Sequence, residues 1–102
     1  MSDIKQGRIM LVRRILEGAG IASISERQAA FNNSGLAEPL CTLVEKIARR
    51  ADRITNDDIT VAKDSGLSED QIFEIVVCAA IGQATRQYDS ALAALEAATG
   101  KA

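Results

Sequence analysis

Residues 75–81 read IVVCAAI, seven apolar positions in succession, and no other stretch restricts the possible folds as much. Ser68 and Gln71, just ahead of it, are spaced as a capping box, and Glu69, Asp70 and Glu74 suit the positive end of a helix dipole. Val77, Ile81, Ala84, Tyr88, Leu92 and Leu95 then recur at steps of three and four. These signals predict a helix from about residue 68 to residue 98, roughly 45 Å long at about 1.5 Å per residue. A helix that is apolar all round must be buried all round, and this one exceeds the width of a globule of about 100 residues, whose radius of gyration is near 13 Å. A homo-oligomer joined through the long C-terminal helix is expected.

Four shorter helices are expected before it. Ile4, Met10 or Leu11, Ile15 and Ala19 fall on one side of a first helix over residues 3–17, ended by Gly18 and Gly20. A second starts near Ser25, where Ser25 and Gln28 fit a capping box, and stops at the NNSG turn of residues 32–35. A third covers residues 36–50, with Pro39 in its first turn and an apolar stripe of Leu36, Leu40, Leu43, Val44, Ile47 and Ala51. Thr55 caps a short fourth helix, with Asp57 and Asp58 near its positive end, and Ser65-Gly66 closes it. The chain thus reads as one all-α domain over residues 1–102, a compact bundle of about five helices.

Charge and composition narrow the function. Fourteen Asp and Glu against twelve Lys and Arg leave a net charge of −2, which opposes a nucleic-acid partner because phosphate neutralisation carries most of that affinity. The spacing of Val61, Ala62, Gly66, Leu67, Ile72 and Ile75 also fits a helix-turn-helix. Its reading helix, however, would present Glu69, Asp70 and Glu74 to the phosphates and turn apolar within two turns. The turn is therefore read as structural. Histidine is absent, so imidazole catalysis and imidazole metal ligation are excluded for the chain alone. Cys41 and Cys78 form no CxxC or metal spacing and are read as small core hydrophobes. The segment IMLV, residues 9–12, is too short for a signal or a membrane span. No membrane partner and no cofactor are expected, and the expected location is cytoplasmic.

The block VAKDSGLSEDQIFEIVVCAAIGQATRQYDSALAAL resembles the C-terminal half of the alkylhydroperoxidase-D-like (AhpD-like) superfamily, which includes the carboxymuconolactone decarboxylases. Ala62, Gly66, Ser68, Ile72, Phe73 and the segment AAIGQA match its pattern, and the likeness covers residues 47–95. The resemblance implies an all-α, homo-oligomeric fold. It also implies where a dithiol and its histidine would stand, and those positions are Ala51, Ile54 and Asp58. None supplies the thiolate or the resolving thiol that attack on a hydroperoxide requires, and the decarboxylases' histidine is missing too. Dithiol peroxidase activity is not expected.

Two carboxylates offer a different site. Glu38 and Glu45 share one side of the third helix, near where the resembled family often keeps a proton-relay glutamate. Glu45 with Asp58 is a candidate acid–base pair. The competing reading pairs Glu45 with Arg49 at i, i+4 and assigns Asp58 to the start of the fourth helix. Tyr88 is a candidate hydrogen-bond donor to a ligand, or else an interface residue. Three functions stay open: a homo-oligomeric domain for a small apolar ligand or for assembly, a carboxylate-based lyase or isomerase, and, least favoured, a DNA-binding regulator.

Overall fold

Five α-helices and one 3-10 turn make up the protein, seen in a computed structural model that describes residues 2–100 and side chains within residues 6–100. They are α1 (Ser2–Glu17), α2 (Ile24–Asn32), α3 (Leu40–Arg50), α4 (Asn56–Asp64) and α5 (Glu69–Thr99). The 3-10 turn Ala51–Arg53 links α3 to α4. The core gathers Ala30 of α2, Leu40, Leu43, Val44 and Ile47 of α3, Ala62 of α4, and Ile72, Ile75, Cys78 and Ala79 of α5, with Ala22 from the preceding loop. The all-α class, the number of helices and the long C-terminal helix are as expected.

The caps explain most of the helix boundaries. Thr55 accepts from the Asp58 backbone while Asp58 returns to the Thr55 backbone, and Ser68 and Gln71 do the same at the start of α5. Both reciprocal boxes satisfy two backbone NH groups that a helix start would otherwise leave unpaired. Ser65 and Gly66 end α4, and Gly66 has a φ of 106° that a side chain would strain.

Several expectations are corrected. α2 is capped by Ser23 with Glu26, not by Ser25 with Gln28; both pairs have the same spacing, and the earlier one starts the helix two residues sooner. α3 begins at Leu40, not Leu36, with Pro39 as its N-cap residue. A residue before proline is pushed away from helical geometry, so Glu38 stays outside the helix. From there its carboxylate accepts from the Thr42 backbone at 2.9 Å and from the Thr42 hydroxyl, the capping that a proline side chain cannot do.

Met10 and Leu11 do not face inward. They are 65% and 53% exposed, and it is Val12, Ile15 and Leu16 that are at least partly covered. Ile4 lies outside the described side chains, and Ala19 sits beyond the helix. The run 75–81 is buried on one side only. Ile75, Cys78 and Ala79 are in the core, Val76, Val77 and Ile81 are half-buried, and Ala80 is exposed. The run thus keeps part of its apolar circumference uncovered in the single chain.

α5 runs unbroken for 31 residues, about 46 Å at 1.5 Å per residue. The molecule measures 51 × 29 × 20 Å, so its long axis is set by this one helix. The first half of α5 is core, and residues 87–100 are exposed throughout. α1 runs antiparallel beside it: the Ile15 carbonyl lies 3.8 Å from the Cys78 thiol, while Arg8 reaches Tyr88 and Asp89.

Candidate functional site

The positions at which the resemblance implies a dithiol and a histidine occupy the α3–α4 junction. Ala51 opens the 3-10 turn and is exposed, Ile54 is partly buried against the core, and Asp58 stands in the first turn of α4. Asp58 is held from two sides. Lys46 Nζ donates to both of its oxygens at 2.8 and 3.0 Å, and the Thr55 backbone donates at 2.9 Å. The Lys46 bond, followed by the Thr55 backbone, keeps its carboxyl below the usual aspartate range.

Glu45 has different partners. Asn33 Nδ2 donates to it at 3.0 Å and Arg49 Nε also donates to it. Asn33 is the left-handed C-cap residue of α2, so Glu45 ties the end of α2 to α3. Its carboxyl is lowered, first by Asn33 and then by Arg49. An acid–base pair needs two carboxyls whose environments drive their pKa values apart. Here both are lowered, and each is bonded to groups that prefer the ionised form. Glu38 is lowered too, by its bond from Thr42.

The two thiols are separate. Cys41 is exposed rather than in the core, and a hydrogen bond to the Glu38 carboxylate raises its pKa. Cys78 is buried, as read from the sequence, and raised by desolvation. Among the described residues, no group of three or more His, Cys, Asp or Glu side chains is placed to hold a metal ion. No described helix is long and apolar enough to cross a membrane.

The helix-turn-helix reading loses its polar surface to local structure. Ser68 and Gln71 are occupied with each other, and Glu69 binds Lys63 at 2.8 Å. What remains at the start of α5 is acidic.

Three groups missed at the sequence level hold the framework. Arg27, only 5% exposed, donates through Nη1 to the Ile15 and Gly18 carbonyls at 3.2 and 2.8 Å, closing the C-terminal end of α1. Its Nε is buried without a partner. Glu74 accepts from the Ile21 backbone with both oxygens, at 3.0 and 2.9 Å. Arg86 donates to the Phe31 carbonyl at 2.6 Å, near the end of α2. The one available signal was spacing: Arg27 lies three residues before Ala30, on the face of α2 that becomes buried. Arg27, Glu74 and Cys78 line a cleft of about 280 Å³ with Ile15, Phe73 and Val77. The orphaned Nε has no access to it, because that atom is itself shut away from solvent.

Tyr88 is half exposed, and the Arg8 guanidinium lies 4.9 Å from its ring centroid, within cation–π range. Arg8 also bonds Asp89 at 3.2 Å. Beyond them Leu92 and Leu95 are 38% and 59% exposed. Over residues 87–100 the only charged side chains are Asp89 and Glu96. Tyr88, Leu92 and Leu95 continue the line of Ile81 and Thr85, set roughly 100° around the helix from the buried stripe of Ile75, Cys78 and Gly82. Tyr88, Leu92 and Leu95 thus form an uncovered apolar helix face rather than a cavity.

No family model, curated protein or solved structure matches this chain.

Proposed function

We propose that the protein is a self-assembling helical domain of the AhpD-like kind without a dithiol peroxidase site, working as a homo-oligomer rather than as a carboxylate enzyme. The observation that carries this reading is the exposed half of α5. The last 13 helical residues, 87–99, carry Tyr88, Leu92 and Leu95 along one face and only two charges, and all are exposed in the single chain, Tyr88 despite the Arg8 guanidinium over its ring. Isolated helices of that length are marginal in water, and most helix stability comes from packing an apolar face. The alanines at 91, 93, 94, 97 and 98 raise helix propensity and let another helix approach closely. The partner in this reading is a second copy of the chain, and any small apolar ligand is held at the assembled interface. The exposed, unpaired thiol of Cys41 fits a reducing compartment, hence a cytoplasmic location.

The engaged state of Glu45 and Asp58 supports the non-enzymatic side of the reading. Native mass spectrometry of the undenatured protein tests it. A defined oligomer is expected, and extra mass on it identifies a retained ligand. A monomer across the accessible concentration range refutes the assembly reading.

A further inference from the structure

We propose that the α5 tail of one copy seats on the outer face of α1 of a second copy, and reciprocally, so that two α1/α5 pairs close into a four-helix bundle. The inference rests on the self-assembly reading and names the surface that receives the tail.

α1 carries two faces. Arg8, Val12, Ile15 and Leu16, at steps of four, three and one, lie toward its own chain and are at least partly covered. Gly7, Met10, Leu11 and Arg14, at the same kind of spacing, lie outward. With Arg13 they line a shallow groove of about 510 Å³. The space above Gly7 is open, with no heavy atom within 4 Å of where a Cβ would stand. Met10 and Leu11 are the apolar floor, more exposed than most apolar side chains of the chain. The groove is basic at its edge, because Arg13 and Arg14 are exposed and take part in none of the ion pairs among the described residues.

The α5 tail has the complementary properties. It is apolar along Leu92 and Leu95, slim because of its alanines, and acidic through Asp89 and Glu96. Glu96 likewise takes part in none of those ion pairs. The pairing of a basic α1 with an acidic α5 already occurs within the chain, where Arg8 bonds Asp89 and covers Tyr88. Because α1 and α5 are antiparallel neighbours, a two-fold axis lays α1 of one copy on the α5 tail of the other and repeats the contact in reverse. Each copy then presents one donor patch and one acceptor patch, and both are covered. Helices in such bundles approach to about 8–10 Å, a distance that the glycine and the alanines allow.

Charge reversal in matched variants tests this. Variant A is Arg13→Glu with Arg14→Glu, and variant B is Glu96→Lys. The dissociation constant of each dimer is measured by sedimentation, and the species by native mass spectrometry. Variant A is expected to dissociate at least tenfold more readily than wild type and variant B a few-fold more readily. Their equimolar mixture is expected to recover an A·B heterodimer at near-wild-type affinity, since both of its contacts then join opposite charges.

If A and B associate like wild type while Leu92→Glu separates the subunits, the tails pair with each other. The inference then fails and the assembly reading stands. A wild-type protein that stays monomeric at about 0.1 mM, where even weak specific pairs form, overturns both. Circular dichroism checks that A is folded. Should it not be, Arg13→Gln with Arg14→Gln replaces it and is expected to weaken association less than A; an unchanged constant for that folded variant overturns the inference.

Discussion

Gly82 and Phe31 meet backbone to backbone: a Cβ on Gly82 would fall far inside contact distance of the Phe31 carbonyl oxygen, the same oxygen that Arg86 binds at 2.6 Å. The approach of α2 to α5 therefore depends on a residue with no side chain, in the middle of a helix where glycine is otherwise unfavourable. Gly82→Ala tests which effect wins. Helix propensity alone would stabilise the variant by about 1 kcal/mol. Forcing two packed helices apart costs about 1–3 kcal/mol and sometimes more, and here the obstacle is backbone that cannot rotate away. A net loss of about 2 kcal/mol is expected in urea unfolding. A variant more stable than wild type would show that the contact relaxes at little cost.

Arg27 and Arg86 do the same work at two helix ends, under different burial. Arg27 is 95% covered and holds two carbonyls of the α1 terminus, whereas Arg86 is half-buried. Arg27→Ala leaves those carbonyls unpaired and opens a cavity, a loss of about 3 kcal/mol. Arg86→Ala should cost about 1 kcal/mol. Arg27→Met keeps the stem and removes a buried charge whose Nε has no partner, so a smaller loss than for Arg27→Ala is expected. Chemical denaturation of the three variants checks the order. Equal losses for Arg27→Ala and Arg86→Ala would mean that burial of the guanidinium carries no weight.

The elements that were legible in the sequence are those decided locally. Ser68 with Gln71, Thr55 with Asp58, and the glycine at 66 each act within a few residues, so their pattern is visible without the fold. Ser25 with Gln28, expected as the α2 cap, has the same spacing as Ser23 with Glu26, and only the folded chain shows that the earlier pair is the one used. In α1 the expected stripe holds at Ile15, which packs against the core, but not at Met10 and Leu11, because which side of the helix is covered is set by contact with other helices and not by its own sequence. Of the candidate site, the sequence carried the i, i+4 pairing of Glu45 with Arg49 and the cap at Asp58. It did not carry Asn33 on Glu45 or Lys46 on Asp58, because both are tertiary contacts between helices.

Asp58 links the α4 cap to Lys46, and its side chain is only 17% exposed. Its pKa in the folded protein is lowered below the ordinary value of 3.8. A depressed carboxyl stabilises the fold above its unfolded pKa, and that contribution disappears as pH falls through the folded one. Stability should therefore fall on acidification below about pH 4. Asp58→Asn should be less stable than wild type at pH 7 and should lose less on acidification. Denaturation midpoints at pH 7, 4 and 3 check both statements. A variant with the same acid slope as wild type would remove Asp58 from the account.

The two cysteines should separate cleanly in a thiol-labelling experiment. Cys41 is exposed and Cys78 is buried, so one thiol per chain should react with a disulfide reagent under native conditions, and both in denaturant. The native reaction should be slow for an exposed cysteine, because the thiolate is the nucleophile and the Glu38 carboxylate beside Cys41 pushes its pKa above the ordinary thiol range. Glu38→Gln removes the charge and should raise the labelling rate at pH 8 by a few-fold. The same substitution weakens the cap on Thr42, at a cost of about 1 kcal/mol, too little to expose Cys78 if the core is intact. An unchanged rate in Glu38→Gln would detach the carboxylate from the thiol's reactivity. Two fast thiols in the native wild type would contradict the burial of Cys78 and with it the packing of α1 on α5.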